Sequence, residues 1–447
     1  MNCVSTENWR SMKYITKYKY AQAETQSSKG AKRLTWLLMP VMALMMHVAS
    51  AQQAPVLSLQ NILQKIDSNN VLLQSYDLKA ESYRHSAEAA TAWMAPMVGA
   101  GTFMTPYPGQ MIMDDRDKGN LMLQLEQDIP NPAKLAAKKR YIASQGNVEM
   151  ATRGITLNEL KAQAKRLYFT WIVAQQKIRV LQENEKIMQT MEKIEEVRFP
   201  YNQSQLSGVY KTAAKLEDNR NMVRMQEGTI AKARSWLNSL MNAPGNQSFD
   251  IDTAYQPVFE QASSYDTASL AAVRQDILKM NESIRSMQLN AEAMKRDKKP
   301  DFRIRFDHMQ PLGPAMPKAF SAMGMVSIPI VPWASKMYKS GIKSMEYSVA
   351  AMEKEKSAML QETQGMLYGM QYEIRSMQQR ISAMEDKIVP ALRQTLDAGF
   401  LNYQENKLSL SAVIDSWEAL TMMQSNILDE KLKLYEMIVD YEKQLYR

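Results

Sequence analysis

Thiols are all but missing from this sequence: its one cysteine is Cys3, and only three histidines accompany it, His47, His85 and His308. One cysteine cannot build a disulfide framework, and once Cys3 leaves with the leader read below, no thiolate metal centre or thiol nucleophile is expected either. Glycine and proline are sparse too, 16 and 17 in 447 residues, and fall mostly where a periodic pattern breaks. So few turn signals argue against two or three globular domains and for long helices. No phosphate-cradling glycine loop, nucleophile elbow or carboxylate pair in a cleft-like context stands out, so neither catalysis nor a resident cofactor is expected.

Near the start, Lys32-Arg33, the apolar run Leu34 to Val48 and Ala49-Ser50-Ala51 have the order of a secretory leader, so residues 1–51 are read as a signal peptide cut before Gln52. The competing reading is a membrane anchor, but the run is shorter than the roughly 20 residues a span needs and holds Pro40. The stretch ahead of Lys32 is long for a leader, which makes Met12 an alternative start. Residues 1–51 carry Arg10, Lys13, Lys17, Lys19, Lys29, Lys32 and Arg33 against Glu7 and Glu24, so cleavage lowers the formal net charge from +8 to about +3. A nucleic-acid partner then has no electrostatic basis. Cys3 and His47 leave with the leader. No apolar run after residue 51 is long enough for a transmembrane helix.

What the chain does have, it has twice. Pro96 precedes a first pair of alternating strands and Pro300 a second; Ile129-Pro130 closes the first pair and Ile328-Pro329 the second. Very long helical stretches follow, reaching Tyr201-Asn202-Gln203-Ser204-Gln205-Leu206-Ser207 in one copy and Tyr403-Gln404-Glu405-Asn406-Lys407-Leu408-Ser409 in the other, which share Tyr-x4-Leu-Ser. The offset is about 200 residues throughout, the mark of a duplicated supersecondary unit. The expected layout is a first repeat over 52–242 (strands about 97–106 and 119–130, hairpin 131–242), a link over 243–266, and a second repeat over 267–447 (strands about 301–309 and 321–330, hairpin 334–447).

In Asp301 to His308 the alternation is strict: Phe302, Ile304 and Phe306 share one face, Arg303, Arg305 and Asp307 the other. Leu121, Leu123 and Leu125 repeat it more weakly. Each strand is about 9–11 residues, the length that crosses a bilayer when tilted. The alternative is a small soluble sheet capping a helical bundle. If the strands do span a membrane, four per chain leave edges that lipid does not tolerate, so chains must pool them. Three copies give 12 strands, with Arg303 and Arg305 facing the lumen.

Pro132 suits a first helical position, and the segment to Arg198 can run as one helix of about 65–70 residues, on the order of 100 Å. The second long helix is expected from about Ala334 to Val389, ahead of Pro390. Met370, Ile374, Met377, Ile381, Met384 and Ile388 alternate steps of four and three, and Leu420, Met423, Ile427, Leu434, Met437 and Tyr441 answer on the same frame, interrupted at Glu430. That period specifies an antiparallel coiled coil between each long helix and its returning partner. Shorter amphipathic helices, Ser58 to Met94 and Thr267 to Arg296, precede the strands.

With those residues in view, the whole chain after the leader resembles the TolC-like outer-membrane efflux proteins. The likeness rests on the doubled helix–strand–strand–long-helix–hairpin order, on the Ile-Pro elements and on the tips; Tyr403 to Ser409 with Val413-Ile414-Asp415-Ser416 is similar to the family's Tyr-x-x-Gly-(Lys)-x-Ser…Val-Leu-Asp-Ala pattern. Asn406 and Ser204 stand where the family has glycine. Asn tolerates a left-handed conformation, whereas Ser204 is less obviously suited. The resemblance implies a mainly α fold with a transmembrane β part: a homotrimer whose 12-strand barrel, set in outer-membrane lipid, continues into an α-helical periplasmic tunnel. It implies a passive exit duct that docks through its tips to a periplasmic adaptor and works with an inner-membrane pump, the RND type being the one the resemblance favours. Docking and gating then fall to Tyr201, Ser204, Leu206, Ser207, Tyr403, Asn406, Lys407, Leu408 and Ser409; plain turn packing is the other reading of the two tyrosines.

Methionine is over-represented, with 36 residues. Those on helical stripes fill core, as flexible thioethers do. Met104, Met111, Met113, Met316, Met323 and Met325 sit near strand ends and loops, and His308, Met309 and Met316 are weak candidates for a soft metal such as copper or silver. Lineage bias explains such abundance equally well. Three function classes follow: an export duct, a periplasmic hairpin adaptor, and a structural coiled-coil spacer.

Overall fold

The computed structural model describes residues 55–201, 206–261, 265–314, 316–329 and 331–446. The expected leader and Ser204 lie outside the described residues. In chain order the elements are β1 (Val56–Leu57), α1 (Leu59–Asn69), α2 (Val71–Ala89), β2 (Met97–Phe103), β3 (Asn120–Ile129), α3 (Pro132–Arg198), α4 (Leu206–Leu240), β4 (Asp250–Ile251), α5 (Thr267–Val273), α6 (Gln275–Arg296), β5 (Phe302–Pro311), β6 (Ala319–Val326), α7 (Pro332–Ala383), α8 (Val389–Gln404) and α9 (Leu410–Gln444).

Both long helices start on a proline. Asn131 caps α3 by accepting the Ala133 N–H at 3.1 Å, and Pro132 fills the first turn, where a missing N–H costs nothing. Pro332 does the same for α7, which therefore begins ahead of the expected Ala334. The 67 residues of α3 span on the order of 100 Å.

The second long helix does not stop before Pro390. A π-helical turn, Met384–Ile388, carries it into α8, with the Val389 N–H donated back to the Met384 carbonyl. A π turn inserts one residue, and it accommodates the donor that Pro390 lacks. The insertion also moves the apolar seam by one position. Ile388, expected in the seam, is exposed, while Val389, Leu392, Leu396 and Tyr403 continue it. Upstream the expected pattern holds, with Ile374 and Ile381 buried and Met370, Met377 and Met384 packed against them.

The two shorter helices each break once. Asn70 ends α1 and caps α2: its Oδ1 accepts the Leu72 N–H at 3.0 Å while its Nδ2 donates to the Leu240 carbonyl at 2.9 Å. Arg274 separates α5 from α6, buried, and donates to the Gln444 carbonyl at 2.9 Å and to Asp276. Each break is thus held by a polar side chain that reaches the end of a returning helix. A distant partner of this kind leaves no mark in local periodicity.

The four long strands form one antiparallel sheet in the order β2-β3-β5-β6, with β2 and β6 at its open edges. β2 ends at Phe103, short of the expected 106, because Met104 turns to a left-handed φ of 53°. Gly119, at φ 82°, lets the chain return past Thr105, whose Cα would lie 2.6 Å from any Cβ added there. β6 ends at Val326, short of the expected 330; the Ser327 N–H turns aside to the Asp301 carbonyl at 3.0 Å. A parallel pair, β1 with β4, ties the chain link to the beginning of the described residues.

Two apolar clusters hold the helices. One surrounds Tyr168, Phe169, Trp171, Leu237, Phe249, Tyr265 and Tyr441 midway along the long helices. The other lies towards the hairpin tips around Met188, Met191, Leu396, Val413, Ile414 and Trp417. Within the reach of the first, Glu430, which interrupts the seam of α9 between Leu428 and Leu434, is buried and paired with Arg380 and Lys433. No described helix is long and apolar enough to cross a membrane.

Candidate functional site

The tip is assembled from the last turns of α3 and α8 and the first turns of α4 and α9. α8 stops because Asn406 takes a left-handed φ of 61°; its N–H returns to the Tyr403 carbonyl at 3.0 Å and the Lys407 N–H to the Asn402 carbonyl at 2.8 Å, the paired bonds of a Schellman cap. Asn406 therefore does the work of the glycine it replaces. That cap presents carbonyls outward, and Arg198 of α3 binds them: its guanidinium donates to the Gln404 carbonyl at 2.8 Å, the Tyr403 carbonyl at 3.2 Å and Asn406 Oδ1 at 3.3 Å. The same guanidinium lies over the Tyr403 ring, 4.7 Å from its centroid.

Tyr403 is buried, and its hydroxyl donates to the carboxylate of Glu195, which is 1% exposed. Desolvation first, and then the bond to Glu195, push the phenol up to about 12. The hydroxyl is therefore a donor throughout the physiological range. Gly208 opens the space beside this pair: a Cβ there would lie 2.9 Å from Glu195 Oε2 and 3.1 Å from Leu410 Cδ2. A second tie runs from α4 to α9, with Lys211 Nζ donating to Ser411 Oγ at 2.8 Å and Lys215 pairing with Glu418 at 2.6 Å. Glu195, Gly208, Lys211 and Tyr403 line an open cavity of about 650 Å³, bounded also by Ser207, Asn406, Leu408 and Ser409.

The expected tip residues thus divide. Tyr403, Asn406, Ser207, Leu408 and Ser409 are brought together, Ser409 standing at the cap of α9. Lys407 pairs with Glu405 at 2.5 Å, and Leu206 is exposed at the start of α4. Tyr201, the counterpart of Tyr403, is 73% exposed, so the duplicated tyrosines occupy different environments. Glu195, Arg198, Gly208 and Lys211 were not anticipated; the available hint was Glu195 and Arg198, one helical turn apart, immediately before Phe199-Pro200.

At the other end of α3 the sheet separates two chemistries. Leu121, Leu123, Leu125, Phe302, Ile304 and Phe306 project from one face and remain between 42% and 53% exposed. The opposite face carries Arg303, bonded to Glu126 at 2.8 Å and Asp128 at 2.5 Å, and Arg305, bonded to Asp307 at 2.9 Å. Both arginines are thus paired with carboxylates. His308 and Met309 are adjacent in β5 and project to opposite faces, so they do not face a common ion, and Met316 lies in the loop beyond β5. Among the described residues no group of three or more His, Cys, Asp or Glu side chains is placed to hold a metal ion.

No family profile and no curated protein matches the sequence. Solved structures do. CusC superposes with a TM-score of 0.68 at 15% identity over 87% of this chain and 91% of its own. The open-state MtrE channel of Neisseria gonorrhoeae gives 0.66 at 15% over 87% and 88%, and VceC of Vibrio cholerae 0.65 at 13% over 87% and 95%. The chain therefore has the protomer fold of the TolC-like outer-membrane efflux channels, the family its doubled order resembles.

Proposed function

We propose that this protein is the outer-membrane exit duct of a tripartite efflux system. Three copies pair β2 of one protomer with β6 of the next, closing a 12-strand barrel whose leucine and phenylalanine face meets lipid and whose ion-paired face meets water. The helices continue as a periplasmic tunnel. The observation that carries this reading is the sheet: one exposed apolar face and two open edges make sense in lipid only after closure, and the sheet runs directly into helices on the order of 100 Å long.

In this scheme the duct is passive. A periplasmic adaptor grips the tip through exposed Tyr201, Leu206, Lys407 and Leu408, and an inner-membrane pump of the RND type supplies the energy. The bonds from Arg198 and Glu195 to the second hairpin act as a latch that holds the tip shut, and docking releases it.

Fractionation and planar-bilayer recording of the purified protein test the proposal together. The expected result is recovery with outer membranes as a trimer, and discrete channel steps that grow when the latch is cut. Recovery in the soluble periplasm would instead support the adaptor reading. A membrane-inserted trimer that stays silent even with the latch removed would support a spacer.

A further inference from the structure

The sheet register brings two thioethers together on the ion-paired face. Met122 of β3 and Met309 of β5 are direct cross-strand partners, both half-buried. Cβ atoms of such a pair stand roughly 4.5–5.5 Å apart, and methionine's unbranched, flexible side chain lets two sulfurs turn towards one point between them. The rung is open on both flanks: Gly101 faces Met122 from β2, where an added Cβ would meet nothing within 4 Å, and Ala319 faces Met309 from β6. The other methionines of this face are partnered differently. Met97 stands opposite Glu126, Met323 opposite Arg305 and Met325 opposite Arg303. Among the described residues of the sheet, only this rung sets one methionine against another.

From this geometry we infer that Met122 and Met309 form a binding site for a soft monovalent metal ion, Cu(I) or Ag(I), one per protomer. Thioethers are neutral and polarisable, and they select Cu(I) over ions that prefer carboxylate or carbonyl oxygen, such as Mg²⁺ and Ca²⁺. His308, expected beside Met309 as a ligand, is excluded, because it shares the other face with Leu123 and Phe320. The neighbouring rung, Gln124 with Asp307, offers no competing free carboxylate, since Asp307 is held by Arg305 at 2.9 Å. The site itself rests on strand register. That it faces a lumen, and so meets exported ions as cargo, rests on the duct reading.

The test is silver titration of the intact trimer in detergent, in chloride-free nitrate buffer, with the protein labelled at its methionine methyl groups for NMR. The expected result is one Ag(I) per protomer, two methyl resonances shifting in step, and their assignment by loss in M122L and M309L. Leucine conserves volume at both positions. Each variant should bind silver at least tenfold more weakly, while M111L/M113L in the loop binds as wild type does and Zn(II) shifts neither resonance. Silver binding that is unchanged in both Met→Leu variants, or no saturable binding, overturns the site. Conductance of the same samples separates the two readings: channels without a silver site overturn the metal proposal alone, and a silver site without channels overturns the duct alone.

Discussion

Replacing Tyr403 with phenylalanine removes one oxygen and leaves the rest of the tip in place. The ring stays buried and the Asn406 cap is untouched, while Arg198 keeps its seat over the ring and its bonds to the Tyr403 and Gln404 carbonyls and loses only its contact with the hydroxyl. The lost bond is a donor to a carboxylate that is 1% exposed. Hydrogen bonds to buried charged groups contribute about 1.5–3 kcal/mol, which is roughly 10- to 150-fold in the ratio of closed to open tips for each protomer. In planar bilayers Y403F is therefore expected to show larger or more frequent openings than wild type, at unchanged trimer yield. The pH dependence adds a signature. The folded phenol is raised from 10.0 to about 12, so its contribution is fully present below pH 10 and is lost as pH rises through about 12. Wild-type conductance should stay flat to pH 10 and rise above it, while Y403F lacks that rise. Superimposable conductance and pH profiles for the two proteins would refute the latch.

Gly208→Ala should act in the same direction as Y403F. In an ordinary helix the change stabilises by about 1 kcal/mol, but here the new Cβ meets Glu195 and Leu410, so a lower unfolding temperature together with increased conductance is expected, and a raised unfolding temperature with wild-type conductance refutes the close approach. Leu123→Arg on the exposed apolar face should cost about 2–4 kcal/mol if it sits near the bilayer midplane, and outer-membrane fractions should be depleted of it; normal insertion would argue that this face is not in lipid. Glu430→Leu restores the seam of α9, and Arg380 and Lys433 are exposed enough to be solvated without their partner, so stability should be unchanged or slightly raised. Its carboxyl is held below 4.5, first by the bond from Lys433, so the stability it contributes is present above pH 4.5 and is lost as pH falls below it; thermal melts of E430L should be less acid-sensitive than those of wild type.

How much of this was legible in the sequence follows from the range of the interactions. The start of α3 at Pro132 and the alternation of β5 are local, set by a missing N–H and a two-residue period, and both are visible in a few residues. Asn406 was legible for the same reason, because left-handed tolerance belongs to the residue itself. The break at Arg274 was not, since its cause is the Gln444 carbonyl 170 positions away. Nor was the exposure of Ile388: the heptad count is right up to Met384, and a single π turn displaces everything after it by one residue. Met122 was passed over because its partner is defined by register, whereas the adjacent His308 and Met309 looked paired in sequence and are separated by the strand's own alternation.

The two halves of the chain match in their scaffold and differ at the tips. Pro132 and Pro332 begin equivalent helices, and Asn70 and Arg274 break equivalent ones, so the two copies agree wherever the task is to hold length and direction. At the tips they diverge. Tyr403 is buried against Glu195 and clasped by Arg198, both contributed by the first copy, whereas Tyr201 stands in solvent. Around Tyr403 the first hairpin supplies the charged groups, Glu195 and Arg198, and the second the tyrosine and the capped turn. A latch built this way fixes the second hairpin against the first within one chain, and leaves Tyr201 available to whatever docks from outside. An opening motion that swings the second hairpin must break the Tyr403 and Arg198 bonds, while one that swings both hairpins as a unit need not. Cutting the latch distinguishes them, because Y403F lowers the barrier only for the first motion.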